Sequence, residues 1–279
     1  MRGALGTTPQ GEAGMAASMR EVRRQGRSAR WGRSLASVLV LVVVVAGWAA
    51  ASQAELVDPV IVPAPADIWQ GLRELLTSSF LLPHLWATTY ETVLGFLIAA
   101  AASMVLAVIL SNWGFVRDVL YPYLVVFQIL PKVALAPIFI AWLGFGVASK
   151  VVLAAAIAFF PMLINTMVGL ASASEGSVLL MRSLVANRWQ MFRRLTLPSA
   201  LPNVFAGLKT SLTLALIGAI VAEFEGAEYG LAVLLKSYSY QFRMGEVYAV
   251  LLILSVLGIA MYGLIELLER RICFWRRQP

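Results

Sequence analysis

The chain has 279 residues, of which 60% are apolar and only 13% are charged, and its formal net charge is +7. Soluble domains are about 45–50% apolar and about 25% charged, so this composition excludes an ordinary soluble globular protein. The chain is therefore predicted to be an integral membrane protein of the all-α class.

Six apolar stretches are predicted to form transmembrane helices. Five of them are long enough to cross a hydrocarbon core of about 30 Å, which needs about 20 helical residues. The third stretch becomes a span if the breaks at Pro122, Pro131 and Pro137 are tolerated. The predicted spans are residues 35–54, 85–110, 119–143, 150–171, 200–222 and 247–268.

The first of these spans has an alternative interpretation. Arginine-rich residues precede an apolar run that ends in WAAASQA, a pattern that is also typical of a secretory signal peptide. The apolar run of about 20 residues is longer than the usual core of a signal peptide, about 7–15 residues. A retained membrane anchor is therefore favoured.

Arginine is concentrated in three segments that alternate with two acidic ones. Residues 1–34 hold seven Arg against two Glu, while residues 173–199 and 269–279 each hold four Arg against one Glu. Residues 55–84 and 223–246 are net acidic. The positive-inside rule then predicts that the basic segments and both termini are cytoplasmic. Because the arginines flank spans instead of forming one patch, nucleic-acid binding is not expected.

These patterns together predict the organisation of the chain. A transmembrane core is expected to follow a short tail, an anchor and an external loop, and no separate soluble domain is expected. The predicted parts are a basic cytoplasmic tail (1–34), the first transmembrane helix (35–54), an external loop (55–84), a transmembrane core (85–271) and a cytoplasmic tail (272–279).

The sequence offers no catalytic or metal-binding motif. The tetrapeptide Gly207-Leu208-Lys209-Thr210 approaches a nucleotide-binding loop, but it lacks the glycine before the lysine and lies in an apolar stretch. The single His84 and the single Cys273 exclude a metal cluster of these residue types. We therefore expect the chain to be neither an enzyme nor the holder of a cofactor.

Ionisable residues inside the predicted spans are the main candidates for function, because a charge at the centre of a span costs about 2.5–3.5 kcal/mol. Glu91 and Lys132 are placed in the same half of the bilayer and are predicted to pair. That pair is either a structural salt bridge or part of a polar pathway. Lys209 either reaches the interface or joins the pathway. The candidate pathway residues are Glu91, Gln128, Lys132 and Lys209.

Three tryptophans lie near the ends of predicted spans. Trp86, Trp113 and Trp142 occupy positions that are typical of the aromatic belts at membrane interfaces. An anchoring role at the interface is therefore favoured for all three over stacking on a ligand.

Residues 173–199 are predicted to form two short amphipathic helices with a turn at Asn187. Pro198 and Pro202 are expected to end the second helix and start the fifth span. The residue pattern leaves two roles open, since such a segment lies on anionic lipid or places its apolar ridge in a groove of another protein. The apolar positions at helical spacing are Val178, Leu179, Leu184, Trp189, Phe192 and Leu195.

The stretch SLVANRWQMFRRLTLPSALPNVFAGLKTSLTLALIGAIVAEF resembles the coupling loop and the following span of binding-protein-dependent ABC importer permeases. QILPKVALAPIFIAWLGFG and EFEGAEYGLAVLL extend this resemblance, to the nitrate/sulfonate/taurine type, over about residues 55–275. Leu197-Pro198 matches the family pattern. Leu179-Leu180-Met181 stands in place of a Glu-Ala-Ala run, and Val185 in place of a glycine.

The resemblance implies a permease subunit of an ATP-driven importer in the bacterial inner membrane. A separate ATPase would bind ATP and Mg, an external binding protein would deliver the solute, and a second permease copy would complete a homodimer in the lipid membrane. The implied solutes are sulfonates, nitrate, thiamine-pyrimidine precursors or aromatic acids. The residues implied in ATPase coupling are Arg182, Leu184, Val185, Arg188, Trp189, Phe192, Arg193, Leu197 and Pro198.

A proton-coupled secondary transporter is the alternative. The composition and the six predicted spans fit this class as well, and the predicted pair of Glu91 and Lys132 would then serve as a proton relay. Such a transporter has no need of the long amphipathic segment at residues 173–199, which favours the importer.

Overall fold

The computed structural model describes residues 39–40, 42–54, 58 and 61–276, and in this part of the chain every regular element is helical. The chain divides into two units, residues 1–67 and 68–279. The α-helices are α1 (Val42–Gln53), α2 (Pro65–Thr77), α3 (Leu81–Asn112), α4 (Gly114–Ile129), α5 (Ala136–Leu143), α6 (Val147–Leu170), α7 (Glu175–Ser183), α8 (Arg188–Met191), α9 (Leu197–Gly226), α10 (Leu231–Tyr240) and α11 (Met244–Ile272).

Among the residues that the structure describes, four helices are long and apolar enough to cross a membrane, namely α3, α6, α11 and the continuous helix Arg188–Gly226 that contains α9. Helix α4 and the segment Lys132–Leu143 form a fifth candidate, bent by 84° at its break. These five match the second to sixth predicted spans, including the proline-broken one. The predicted first span, 35–54, overlaps α1, a shorter apolar helix, and residues 35–38 and 41 lie outside the described part.

Both segments that were predicted as acidic loops contain a helix. Helix α2 lies within residues 55–84, and α10 lies within residues 223–246. Helix α2 buries Ile68, Gly71 and Leu75, whose spacing gives one apolar face to a short helix. The loop interpretation missed both helices because each is too short to span a membrane.

Helices α3, α6 and α9 form the centre of the larger unit, and small residues line their crossings. A Cβ atom added at Gly95 of α3 would lie 2.6 Å from the Ala154 Cβ atom of α6. One added at Gly218 of α9 would lie 2.7 Å from the Ala154 Cα atom. The Ser211 hydroxyl of α9 also donates to the Ala158 carbonyl at 2.8 Å. Close backbone approach through small residues is how helices associate in lipid, where burial from water supplies little.

A leucine-rich cluster fixes α10 against the rest of the unit. Leu75 of α2, Leu231 and Leu235 of α10 and Val250 of α11 are all buried in it. Leu81 of α3 joins the same cluster, so α10 is held beside the end of α3. This packing positions the loop before α10 next to polar side chains of α3 and α9.

The second amphipathic helix runs into α9 without a break, so the prediction that Pro198 and Pro202 separate them is wrong. Residues Phe192–Thr196 form a π-helical turn in which the Leu197 N–H donates to the Phe192 carbonyl. Pro198 lies in the first turn of α9, and Pro202 lies inside it. Because a proline has no N–H and its ring crowds the carbonyl four residues earlier, the wider π turn lets the helix pass Pro198.

Candidate functional site

A buried polar cluster joins α3, α6 and α9. We call Thr88, Glu91, Lys150 and Glu223 the Glu91 cluster, and all four are at least 96% buried. The Lys150 Nζ atom lies 3.8 Å from the Glu91 Oε1 atom. The Thr88 hydroxyl donates to Glu223 Oε1 at 2.5 Å. Two carboxylates and one ammonium thus share one low-dielectric site, where charges persist only if they are paired or hydrogen-bonded.

The predicted pairing of Glu91 with Lys132 is wrong, because the structure gives Glu91 a different partner, Lys150. Lys132 lies in the short 3₁₀ helix at the bend after α4, where its Nζ atom donates to the Gln128 carbonyl at 2.9 Å. The same Nζ atom stands 4.8 Å from the centroid of the Phe160 ring. The bend turns the chain at Lys132, while Lys150 enters the cluster from the first turns of α6.

The chain before α10 is bonded onto this cluster. The Leu231 N–H donates to the Thr88 hydroxyl and the Ala232 N–H to Glu223 Oε2, each at 2.8 Å. Gly230 has φ +146°, and a Cβ atom there would collide with the Glu223 carboxylate. Glycine is required at this position by both backbone conformation and space. Glu223 therefore links the end of α9 to the start of α10.

His84 adds a second contact to the same loop. Its Nδ1 atom lies 2.8 Å from the Gly230 carbonyl oxygen and 3.0 Å from the Gly230 nitrogen. Its ring is also 5.5 Å, between centroids, from that of Tyr229. The His84 side chain therefore links α3 to the loop before α10.

Sequence reasoning missed Lys150 and Glu223 in the cluster. Lys150 marks the start of an apolar run, a position where lysine normally extends to the interface. Its Nζ atom turns back and donates to the carbonyls of Phe145 and Gly146, at 2.8 and 3.0 Å. Glu223 falls in an acidic stretch after an apolar run, yet it lies within α9. The signal that could have found Glu223 is its position directly after the predicted span 200–222, because the helix continues past the end of the apolar run.

Of the other candidate pathway residues, Lys209 pairs with Glu269 of α11 at 2.6 Å and lies 5.3 Å from the Tyr262 ring centroid. Gln128 is exposed on α4, next to the bend. The structure therefore distributes the four candidates among three places: Glu91 in its cluster, Gln128 and Lys132 at the bend, and Lys209 between α9 and α11.

Residues 173–199, called here the coupling segment, begin with α7. The Ser174 side chain caps this helix by accepting from the Ser177 N–H. At its other end, the Val185 N–H donates to the Arg182 carbonyl and the Ala186 N–H to that of Met181, both at 3.0 Å. This closing pattern places a left-handed residue after the helix, usually glycine. Here it is Val185, at φ +54°.

Helix α8 starts at a reciprocal cap. The Asn187 side chain accepts from the Gln190 N–H at 2.8 Å, and the Gln190 side chain accepts from the Asn187 N–H at 3.0 Å. Asn187 thus separates the two helices, as predicted. Trp189 and Phe192 stack with their ring centroids 6.0 Å apart.

The surface of the coupling segment is both apolar and basic. Leu184 is 68% exposed, Val185 is 89% exposed and Trp189 is 65% exposed, while Phe192 is half-buried. The arginines beside them are all exposed: Arg182, Arg188, Arg193 and Arg194. About 26 residues of α9 separate Leu197 from Glu223, so the segment lies about 39 Å from the Glu91 cluster along the helix.

Several apolar spans, a buried charged cluster and an exposed basic segment continuous with one span define a membrane transport subunit. The family model described as "Binding-protein-dependent transport system inner membrane component" matches residues 92–273. The chain belongs to this family of ABC importer permeases. Members of the family are transport subunits and not enzymes.

Curated relatives cover most of the chain. It is 37% identical to the formylaminopyrimidine transport permease protein ThiX of Halalkalibacterium halodurans, over 79% of this chain and 88% of that one. It is 30% identical to the putative aliphatic sulfonates transport permease protein SsuC of Bacillus subtilis, over 91% and 92%. It is 34% identical to the riboflavin transport system permease protein RibX of Chloroflexus aurantiacus, over 77% and 80%.

The fold is also found among solved structures. A chain of the MetNI methionine ABC transporter in an inward-facing conformation aligns with a TM-score of 0.61 at 18% identity. The alignment covers 69% of this chain and 96% of that one. The predicted fold class, an all-α multi-pass membrane protein of the importer permease type, is confirmed.

Proposed function

We propose that two copies of this chain form the translocation path of an importer whose ATPase subunits dock on the coupling segment. ATP and Mg would be bound by those separate subunits. An extracytoplasmic binding protein would meet the permease at the end that holds the Glu91 cluster. The solute proposed is a small organic molecule or oxyanion, a range that the names of the relatives support.

The observation that carries this proposal is the surface of the coupling segment. Leu184, Val185 and Trp189 project from it in spite of their apolar side chains. Apolar residues ringed by charge are typical of a surface that another protein covers. Arginine and tryptophan are also the residue types that dominate the energy of protein interfaces. The segment therefore fits a groove in a partner protein better than it fits free solvent.

The continuity of the helix supports a mechanical role for the docked partner. The helix runs unbroken from Arg188 to Gly226. It connects the coupling segment to Glu223 and therefore to the loop before α10. A displacement of α8 by closure of the ATPase pair would be transmitted along this rigid element to the Glu91 cluster. Two packings of such a cluster would correspond to the inward-facing and outward-facing states.

The proposed membrane orientation has both termini and the coupling segment in the cytoplasm. Asp67→Cys is introduced into a Cys273→Ser chain, with Val178→Cys as the matched position in the coupling segment. An impermeant thiol reagent should label position 67 in intact cells and position 178 only after the cells are opened, because the basic segments stay inside. The reverse pattern would overturn this orientation.

The test of the function is reconstitution of the permease in liposomes with its cognate ATPase and binding protein. Solute uptake should require ATP and the complete coupling segment, and it should survive dissipation of the proton gradient. In the variant that tests the coupling segment, Leu184, Val185, Trp189 and Phe192 are all changed to Ser. This variant should no longer capture the ATPase. Uptake that depends on the proton gradient and persists without the ATPase would instead support a secondary transporter.

A further inference from the structure

Two glutamates of the Glu91 cluster are buried against each other. The carboxyl groups of Glu91 on α3 and Glu223 on α9 are in hydrogen-bonding contact. Glu91 is 2% exposed and Glu223 is 1% exposed. An ionised carboxylate only accepts hydrogen bonds, so two carboxyl groups bond to each other only when one of them is protonated. We call Glu91 and Glu223 the carboxyl pair, and their contact requires a proton.

The other hydrogen bonds of the carboxyl pair leave room for that proton. Glu223 accepts from the Thr88 hydroxyl at Oε1 and from the Ala232 N–H at Oε2. The buried Oε2 atom of Glu91 receives no hydrogen bond from an N–H or O–H group of the described part of the chain. A buried acceptor without a partner is destabilising. A proton on the Glu91 carboxyl group converts this unpaired acceptor into a donor.

The charge balance of the cluster requires the same proton. Lys150 is the cationic side chain that acts on both glutamates. Its Nζ atom donates to the carbonyls of Phe145 and Gly146, which favours its charged form. Two ionised carboxylates would therefore leave one negative charge unbalanced in a low-dielectric site, and carboxylates in contact do not both ionise there. One proton makes the cluster neutral.

The other titratable side chains at this end of the described structure have other contacts or are exposed. His84 is bonded to Gly230 of the loop before α10. Lys236 of α10 donates to the Phe224 carbonyl at 2.9 Å. The pair is therefore faced by Lys150 from α6 and by backbone N–H groups from α10. The exposed titratable residues are Tyr90, Glu225, Glu228 and Tyr229.

We propose that Glu91 and Glu223 share one proton and that this proton holds the loop before α10 on the ends of α3 and α9. The Ala232 N–H donates to Glu223 directly, and the Leu231 N–H donates to Thr88, which itself donates to Glu223. Loss of the proton places two negative charges in contact, and their repulsion displaces Glu223 from these partners. The held state binds one proton more than the released state, so release is favoured as the pH rises.

A cavity gives the proton a route to solution. Its volume is about 600 Å³, and its lining includes Glu91, Lys150 and the exposed Glu228. It lies at the end of the permease away from the coupling segment, which faces outside in the proposed orientation. The loop therefore responds to external pH, and this one point rests on the proposed function. The proton is bound and released on one side, so ATP-driven uptake stays independent of the proton gradient.

The first measurement is infrared spectroscopy of the full-length permease in nanodiscs at about pH 7, where exposed carboxyl groups are ionised. The unmodified chain should show the C=O stretching band of a protonated carboxyl group. Glu223→Gln leaves Glu91 paired with Lys150, so this variant should fold and lose the band. Glu91→Gln should lose it as well. Glu225→Gln is the matched control, because Glu225 is exposed on the same helix, and it should keep the band.

The second measurement is hydrogen exchange at the Leu231 and Ala232 amides, corrected for the pH dependence of the chemical exchange step. Above the pH at which the infrared band disappears, the opening constant should rise about ten-fold per pH unit, as one linked proton requires. Glu223→Gln should abolish this dependence, and His84→Gln should retain it. The Ser177 amide, which donates to the Ser174 hydroxyl in the coupling segment, is the internal reference and should show no change.

An unmodified chain without the band, or a band that Glu223→Gln retains, would rule out the shared proton. Opening that does not depend on pH, or that depends on it equally in Glu223→Gln, would rule out its hold on the loop. Loss of the dependence in His84→Gln would assign it to the histidine and contradict the proposal. Glu223→Gln decides these points even if Glu91→Gln does not fold. Both the unmodified chain and Glu223→Gln should capture the ATPase, and failure of both would count against the proposed function alone.

Discussion

The Glu91 cluster and the coupling segment lie near opposite ends of α9, and they differ in which kind of side chain is buried and which is exposed. In the cluster, charged groups are buried and are contacted by Thr88, by Lys150 and by backbone N–H and C=O groups. In the coupling segment, apolar groups are exposed, and Val185 holds a backbone conformation that glycine normally takes. One end is consistent with an internal site complete in this chain, and the other with a surface completed by a partner.

This contrast shows how one helix serves both ends. The middle of α9 packs through small residues such as Ala215, Gly218 and Ala219, which are buried against α3 and α6. A helix packed closely along its length moves as a unit, because packed interiors are not continuously deformable. Substitutions at the two ends should therefore differ in what they damage: folding at the cluster, and association at the coupling segment.

The largest effect is expected from breaking the buried ion pair. Lys150→Met strands the Glu91 carboxylate and two carbonyl groups, and Glu91→Gln leaves the ammonium without its carboxylate. Removal of one partner of a buried pair costs about 3–5 kcal/mol, whereas removal of both is milder. Each single substitution should lower the yield of folded permease, measured by size-exclusion fluorescence, and the double substitution should restore much of it.

The control for this cycle combines Glu91→Gln with Lys132→Met, the residue that sequence reasoning had paired with Glu91. Because the Lys132 Nζ atom bonds to Gln128, this second combination should bring no recovery. Additive losses for the pair with Lys150, or recovery with Lys132, would show that the cluster is not held by the Glu91–Lys150 contact.

The sequence was sufficient for the features that depend on local pattern. Apolar length placed the spans 85–110 and 247–268 within α3 and α11, and the span 150–171 on α6 to within one residue of its end. Amphipathic spacing and Asn187 predicted the two helices of the coupling segment. The sequence was not sufficient for features that depend on how the helices are arranged in three dimensions. The partner of Glu91 depends on an 84° bend between α4 and α5, whose angle no residue spacing specifies. The passage of α9 through Pro198 likewise depends on a π turn.

The next effect concerns association, and it separates the coupling segment from the cluster. Phe192→Ala and Trp189→Ala should each weaken capture of the ATPase, because truncation of an aromatic anchor at an interface costs about 2–4 kcal/mol. The permease itself should fold normally, since Trp189 is 65% exposed. Pull-down from detergent extracts measures the loss. Tyr240→Ala is the matched control, since Tyr240 is 74% exposed on α10 at the other end.

Undiminished capture by both aromatic variants, or an equal loss with Tyr240→Ala, would contradict docking through this ridge. Retained capture together with weaker binding to anionic vesicles would favour the alternative in which the coupling segment lies on lipid.

A smaller effect is expected from relieving the strain at Val185. A side chain in the left-handed region costs about 1–2 kcal/mol, and β-branching makes the fit worse. Val185→Gly should therefore stabilise the end of α7, and hydrogen exchange at residues 184–186 should slow about ten-fold, the factor that corresponds to about 1.4 kcal/mol. Leu184→Gly is the matched control, because Leu184 has φ −81° and gains nothing from glycine. Faster exchange in Val185→Gly would show that the valine side chain, not its backbone, holds this turn.

The smallest effect on stability is expected from an exposed ion pair that, like Lys150 and Glu91, joins a cationic side chain to a glutamate. Arg243 contacts Glu74 at 3.1 Å, and their side chains are 38% and 54% exposed, against 5% and 2% for Lys150 and Glu91. Hydrogen bonding to Glu246 raises the pKa of the Arg243 guanidinium. Because this bond does not involve Glu74, the guanidinium keeps a carboxylate partner when Glu74 is replaced. Exposed pairs contribute about 0.2–1 kcal/mol and are screened by salt.

Glu74→Gln should therefore lower the melting temperature only slightly in dilute buffer and not at all in 1 M salt, where the Debye length falls to about 3 Å. Arg73→Gln, an exposed change on the same helix, is its control. Glu91→Gln should stay destabilised at both salt concentrations, because ions do not screen a buried pair effectively. If both glutamate variants lost stability equally and recovered equally in salt, burial would not be what distinguishes the Glu91 cluster from the surface of the molecule.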